Sequence, residues 1–187
     1  MRAGTNKTNL IVVIFGQKGT GKTYLANKIA GGMYAAGRRV IAIAPAGGFN
    51  FIPGPLITSP DPDRFAGLAG RSAIVNCGDM ETARMAIRFA REVGRLWLII
   101  DEIDLFLSPW EYDPDLMNII RMGRHKEINL VGITQRPASV HKNLTALADR
   151  RVIFRITEPN DRDYLKKFVG IDPDLPPRLA DRRFFLL

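Results

Sequence analysis

Short apolar runs alternate with segments of helical period almost to the end of this 187-residue chain. Leu10–Phe15 is continuously apolar and rich in β-branched residues, the pattern of a strand buried on both faces. Thr20–Ala36 has helical period and is closed by Gly37. Val40–Ala44, Ala73–Asn76, Leu96–Ile100, Leu130–Thr134 and Val152–Ile156 predict further strands. Asp79 caps a helix running to about Gly94. Asp113 followed by Pro114 supplies an N-cap and a first-turn proline for a helix to about Arg124. Ala138–Ala148 predicts a short helix, Asn160–Phe168 another, and Arg183–Leu187 a last edge strand beyond Pro173, Pro176 and Pro177. Pro45–Gly70, with Pro53, Pro55, Pro60 and Pro62, reads as one long irregular segment, and such loops often carry function. The alternation predicts an α/β fold, a mostly parallel sheet with helices on both faces, in a single domain over 1–187.

Composition removes several classes. Hydrophobic residues make up 46% and charged residues 25%, an ordinary globular balance. The single Cys77 excludes an internal disulfide and favours a reducing compartment. One cysteine with His125 and His141 argues against a structural zinc site. The apolar runs are far too short to span a membrane. Arg2 and Lys7 precede the first run, but a glycine-rich loop rather than a cleavage site follows it. The net charge of +8 and pI near 10.0 favour a polyanionic partner.

The loop after the first strand carries the most specific chemistry. Gly16-Gln17-Lys18-Gly19-Thr20-Gly21-Lys22-Thr23 fits G-x-x-x-x-G-K-[ST], between a buried strand and a helix, as the motif requires. Glycines let the backbone wrap a phosphate with its N–H groups inward, and the helix N-terminus adds positive charge. Lys22 would reach the β- and γ-phosphates of a nucleotide and the Thr23 hydroxyl would ligate Mg²⁺. Lys18 reads as a solvated loop charge.

The apolar run Leu96–Ile100 ends in Asp101-Glu102. Ligands of open α/β sheets sit beyond the carboxyl ends of the strands. Asp101 is therefore placed to face the metal at Thr23, and Glu102 to polarise an attacking water as general base. That pairing favours hydrolysis over transfer to a small acceptor. Asp104 reads as a loop carboxylate or helix cap. If Leu130–Thr134 lies between the other two strands, Thr134 or Gln135 sits near the γ-phosphate, and Gln135 can sense it or orient the water. Gln135 bonding its own turn before Pro137 is the alternative.

With the phosphate loop and Asp101-Glu102, the stretch Met122-Gly123-Arg124-His125 and the strand end Thr134-Gln135-Arg136-Pro137 resemble the FtsK/HerA group of P-loop motors, which includes the genome-packaging ATPases of tailless double-stranded DNA viruses. The likeness runs from about Leu10 to Tyr164. It implies an NTPase core of the RecA-like type, ATP and Mg²⁺ as cofactors, double-stranded DNA as partner, and a homo-oligomeric ring of six. It also implies a sensor role for Gln135 and action of Arg124 on a neighbour's nucleotide. The chain has almost no extension ahead of its first strand and no membrane span, unlike cellular pumps and anchored members. Both departures favour the compact packaging type, with capsid vertex proteins as further partners and the host cytoplasm or virion as its place. A P-loop kinase or nucleotide transferase, and an ATP-switched assembly protein of the filamentous-phage kind, remain the competing classes.

Arg84, Arg88, Arg91 and Arg95 recur at helical spacing opposite Ala83, Ala86, Ile87 and Ala90. The stripe could track a phosphate backbone or be a solvated face. Trp97 reads as core, and Trp110 and Tyr112 as a subunit contact or sheet-edge cover. His125 and His141 read as surface or capping residues.

Overall fold

Strands that are apolar at every position need cover on both faces, and the fold provides two unequal covers. The computed structural model describes residues 9–50, 54–68, 70–180 and 182–187; Arg2, Lys7 and Pro53 lie outside them. In chain order the elements are β1 (Ile11–Phe15), α1 (Lys22–Ala35), β2 (Val40–Ile43), β3 (Leu56–Ile57), α2 (Pro62–Ala66), β4 (Ala73–Val75), α3 (Met80–Val93) and β5 (Leu96–Ile100). There follow α4 (Pro114–Met122), β6 (Ile128–Thr134), α5 (Lys142–Leu147), β7 (Arg150–Ile153), α6 (Pro159–Val169) and β8 (Phe185–Leu186).

The strands form one sheet in the order β3-β4-β2-β5-β6-β1-β7-β8, parallel throughout except for β8. Alternate residues of β1 enter different cores. Val13 and Phe15 join the side chains of α3, α4, α5 and α6, while Val12 and Ile14 join those of α1. Ala26 and Ala30 give α1 a small-residue face that lies close on the sheet.

Parallel register puts three strand ends at one edge. Phe15 pairs with Thr134, and Ile100 with Gly132, so β6 outruns β5 by two residues. Gly132 makes room for the buried Ile103, whose Cδ1 lies 2.7 Å from where a β-carbon would stand. The chain after β5 can therefore fold back across the end of β6.

Several elements differ from the expectation. The segment 45–70 is not wholly irregular: it contains the edge strand β3 and the helix α2, capped by the Asp61 carboxylate accepting from the Asp63 and Arg64 amides. Ala138–Ala148 divides into a 3-10 turn over Pro137–Ser139 and α5, whose N-cap His141 accepts from the Asn143 N–H through Nδ1. The strand expected at Val152–Ile156 starts two residues earlier, at Arg150, and ends at Ile153. Its continuation runs beside the phosphate loop, with the Gln17 N–H donating to the Arg155 carbonyl. The helix expected to reach Arg124 ends at Met122, and Arg124 falls in a 3-10 turn over Gly123–Lys126.

Gly94 closes α3 at φ 62°, where a β-carbon would lie 2.5 Å from the Lys126 carbonyl oxygen. The next amide, Arg95, donates to that same oxygen at 2.7 Å and so starts the β5–β6 ladder. Gly94→Ala should lower stability by about 1–3 kcal/mol, the cost of a strained non-glycine backbone, in a chemical denaturation curve.

Candidate functional site

The end of β1 turns immediately into the Gly16–Thr23 loop. A β-carbon on Gly16 would lie 2.6 Å from Phe154 Cβ and 2.8 Å from Thr20 Oγ1, so no side chain fits there. Gly19 and Gly21 adopt φ values of 80° and 105°, which swing the amides inward. Gly21 opens α1 with no side-chain cap, and no acidic residue occupies the first turn. Most of the other helices have a carboxylate in or before that turn. The first amides of α1 are thus left for a ligand.

The loop residues divide in role. Thr20 is buried and its hydroxyl donates to the Gln17 carbonyl at 2.9 Å, bracing the loop from within. Gln17 faces away: its side-chain carbonyl accepts from the Thr157 hydroxyl at 2.9 Å. Lys18 is exposed at the rim of a cavity of about 140 Å³ shared with Gln135, Arg136 and Thr157. Lys22 is 6% exposed and its Nζ donates to the Gln17 carbonyl at 2.9 Å. Burial lowers its pKa from the ordinary lysine value, while Asp101, Glu102 and Asp104 pull the other way. A phosphate would supply the counter-charge that the carbonyl lacks.

Asp101 follows β5 directly. Its Oδ2 accepts from the Thr23 hydroxyl at 3.2 Å and its Oδ1 from the Glu102 N–H at 3.0 Å. Burial raises the Asp101 pKa, opposed by those two hydrogen bonds and by Lys22. A hydroxyl and a carboxylate side by side next to a phosphate cradle are the hard oxygen donors that Mg²⁺ takes together with substrate phosphates. Glu102 has left-handed backbone, φ 53°, which turns its side chain across the end of β6. There its Oε1 lies 3.4 Å from Gln135 Nε2, which donates to it. The three strand ends thus bring Lys22, Thr23, Asp101, Glu102 and Gln135 together.

Other expected residues lie elsewhere. Thr134 is buried and its hydroxyl accepts from the Arg136 N–H, bracing the turn. Arg124 is exposed ahead of β6, at the opposite end of that strand from Gln135. The arginine stripe meets acids: Arg88 and Arg91 bind Asp115 at 3.3 and 3.0 Å, and Arg84 lies 4.0 Å from Asp113 and from Glu111. Arg95 is beyond the helix, with left-handed backbone, and pairs with Glu127 at 3.6 Å. Arg84, Arg88 and Arg91 thus link α3 to the start of α4, while Arg84, Arg88 and Arg95 remain exposed. Trp97 is half-buried, and Trp110 is 93% exposed.

One arrangement had no local signal. Asp161, at the start of α6, is buried; it accepts from Arg136 Nε and from the Ala138 N–H, each at 2.9 Å. It fixes the strand end that carries Gln135. Asp161 follows Pro159 as an ordinary first-turn acid, and only the fold brings Arg136 to it.

Residues 12–156 match the family model of the ATPase family associated with various cellular activities (AAA). Among solved structures, the chain is similar to the genome packaging NTPase B204 from Sulfolobus turreted icosahedral virus 2 in complex with ATP-gammaS. The TM-score is 0.80 at 22% identity, over 97% of this chain and 92% of that one. It is also similar to VirB4 of Thermoanaerobacter pseudethanolicus, with TM-score 0.68 and 14% identity over 100% of this chain and 90% of that one. The pCW3 conjugation coupling protein TcpA shares the fold with TM-score 0.63 and 16% identity, over 97% of this chain and 58% of that one. No curated protein sequence matches the chain. Among the described residues no helix is long and apolar enough to cross a membrane.

The raised pKa of Asp101 has a sign that can be measured. The folded protein holds this proton more tightly than the unfolded chain, so stability falls as pH rises from about 3.9, the ordinary carboxylate value, through the folded value. Asp101→Asn should therefore gain stability relative to the wild type between acid and neutral pH, read as the difference between denaturation curves at the two pH values. An equal difference at both would show that burial does not act on this carboxyl.

Proposed function

The chain belongs to the ATPase family associated with various cellular activities (AAA), and from that membership we propose a motor that couples ATP hydrolysis to movement of double-stranded DNA, packaging a viral genome. The observation that carries the hydrolytic part is the meeting of Lys22, the Thr23–Asp101 pair and the Glu102–Gln135 pair at the ends of three adjacent strands. The packaging part is supported by the fold shared with B204, a genome packaging NTPase, along 97% of this chain and 92% of B204. The excess of basic residues fits a polyanionic track.

Each residue then has a task. The backbone amides of Gly16–Thr23 enclose the β-phosphate, and Lys22 exchanges the Gln17 carbonyl for phosphate oxygens. Thr23 and Asp101 would hold Mg²⁺, which would supply neutralisation of phosphate charge in the transition state. Glu102 draws a proton from the attacking water. Gln135 holds the Glu102 carboxylate, so a change at the γ-phosphate is passed to the end of β6 and, through Arg136 and Asp161, to α6.

Arg124 cannot serve its own site. It lies beyond the far end of a seven-residue strand, about 20 Å away at 3.3 Å per residue. It can serve the site of a neighbouring copy, which requires a ring, six-membered by resemblance, with capsid vertex proteins as its docking partners in the host cytoplasm or virion.

ATP turnover with and without double-stranded DNA tests the reading. Stimulation by DNA is expected; a product dependent on a small acceptor would indicate a kinase instead, and negligible turnover with ATP-dependent assembly a switch. Lys22→Ala should lose nucleotide binding and turnover, whereas Glu102→Gln should keep binding and slow hydrolysis roughly 10²–10⁴-fold, the usual worth of a general base. Arg124→Ala should bind ATP and lose roughly 10³–10⁵-fold in rate, the range of an arginine finger. Mixing it with Lys22→Ala should restore some turnover, because an intact Lys22 site then meets an intact Arg124. No rescue in rings confirmed by sedimentation would remove the role in trans.

A further inference from the structure

Among the described residues, four that are not glycine have left-handed backbone, and two of these flank the phosphate loop. Glu102 stands on the β5–β6 side. Arg182, at φ 62°, stands on the other side, in the segment leading into β8. A β-carbon on Gly21 would lie 3.5 Å from Arg182 Cγ and 3.8 Å from its Cα, so the stem of Arg182 crosses the start of α1.

The chain end is fastened there. β8 pairs antiparallel with β7, and Arg151 and Leu187 exchange backbone hydrogen bonds of 2.8 and 2.9 Å. The Phe184 ring sits 5.2 Å from that of Phe154, the residue that closes over Gly16 and Gly21. Phe184 keeps 43% of its surface exposed beside the loop. A non-glycine residue in this backbone region persists only where its surroundings hold it.

A nucleotide has a direction in this cradle. Asp101, Glu102 and Gln135 all lie on the β5–β6 side of β1, and the γ-phosphate faces them. The α-phosphate and nucleoside must then leave on the opposite side, across the first turn of α1 towards β7 and β8. That is where the Arg182 stem runs.

We infer that Arg182 is a nucleotide-binding residue that grips ATP on its α-phosphate side, with the segment from Arg182 to β8 forming the nucleoside-side wall of the pocket. The inference rests on the ATP site described above. Because the α-phosphate is common to both nucleotides, Arg182 acts equally on ATP and ADP, whereas Lys22 favours the nucleotide with a γ-phosphate.

Isothermal titration of the full chain with ATP and with ADP, in the presence of Mg²⁺, tests this. Arg182→Gly removes the guanidinium and relaxes the backbone, so its unfolding temperature should equal or exceed that of the wild type. Its affinities for ATP and ADP should fall together by about tenfold, the worth of one charge-assisted hydrogen bond. Arg182→Lys keeps the charge and should lose less. Unchanged affinity for both nucleotides in Arg182→Gly would overturn the inference while leaving the ATP site standing. A loss confined to ATP would overturn it too, by placing Arg182 at the γ-phosphate. Failure of the wild type to bind either nucleotide would overturn the site reading itself.

Discussion

An ammonium group taken out of water with no anion in direct contact costs several kcal/mol, and this fold keeps one in that state. Lys22 is almost fully buried at the start of α1, with one neutral carbonyl as its hydrogen-bond acceptor. The carboxylates of Asp101, Glu102 and Asp104 stabilise its charge from a distance. What surrounds it is arranged for an anion: an uncapped helix, two left-handed glycines, and a Gly16 too crowded to carry a side chain. The parallel sheet is what makes this possible. Only with β1, β6 and β5 adjacent and pointing the same way do a lysine, a carboxylate pair and a glutamine from distant parts of the chain arrive at one edge.

Asp101 and Glu102 lie on the β5–β6 side of the phosphate loop, and Arg182 lies on the β7–β8 side. A phosphate chain running between them meets Lys22 in the middle. The strand end that carries Gln135 is anchored by Arg136 to the buried Asp161.

The strands with continuous apolar sequence were legible in the amino-acid sequence, because burial on both faces leaves no polar position. So were the helices opened by Asp79 and by Asp113-Pro114. β3 and α2 were not: two residues and five are too few for a period to register, although Asp61-Pro62 is the same start signal as Asp113-Pro114. The phosphate loop and the Asp101-Glu102 pair announce themselves through local chemistry. The Glu102–Gln135 contact depended on which strand lies between which, and long-range pairing leaves no local trace. The arginine stripe shows the same limit. Its helical spacing was visible, but Asp113 and Asp115 reach it only through the packing of α3 on α4.

If hydrolysis at this edge moves the protein along duplex DNA, a fluorescent third strand in a triplex embedded in linear double-stranded DNA should be displaced. The wild type should release the third strand only when ATP is hydrolysed, and a non-hydrolysable analogue should support DNA binding without release. ATP turnover stimulated by the same DNA with no displacement would show that hydrolysis does not move the protein along the duplex.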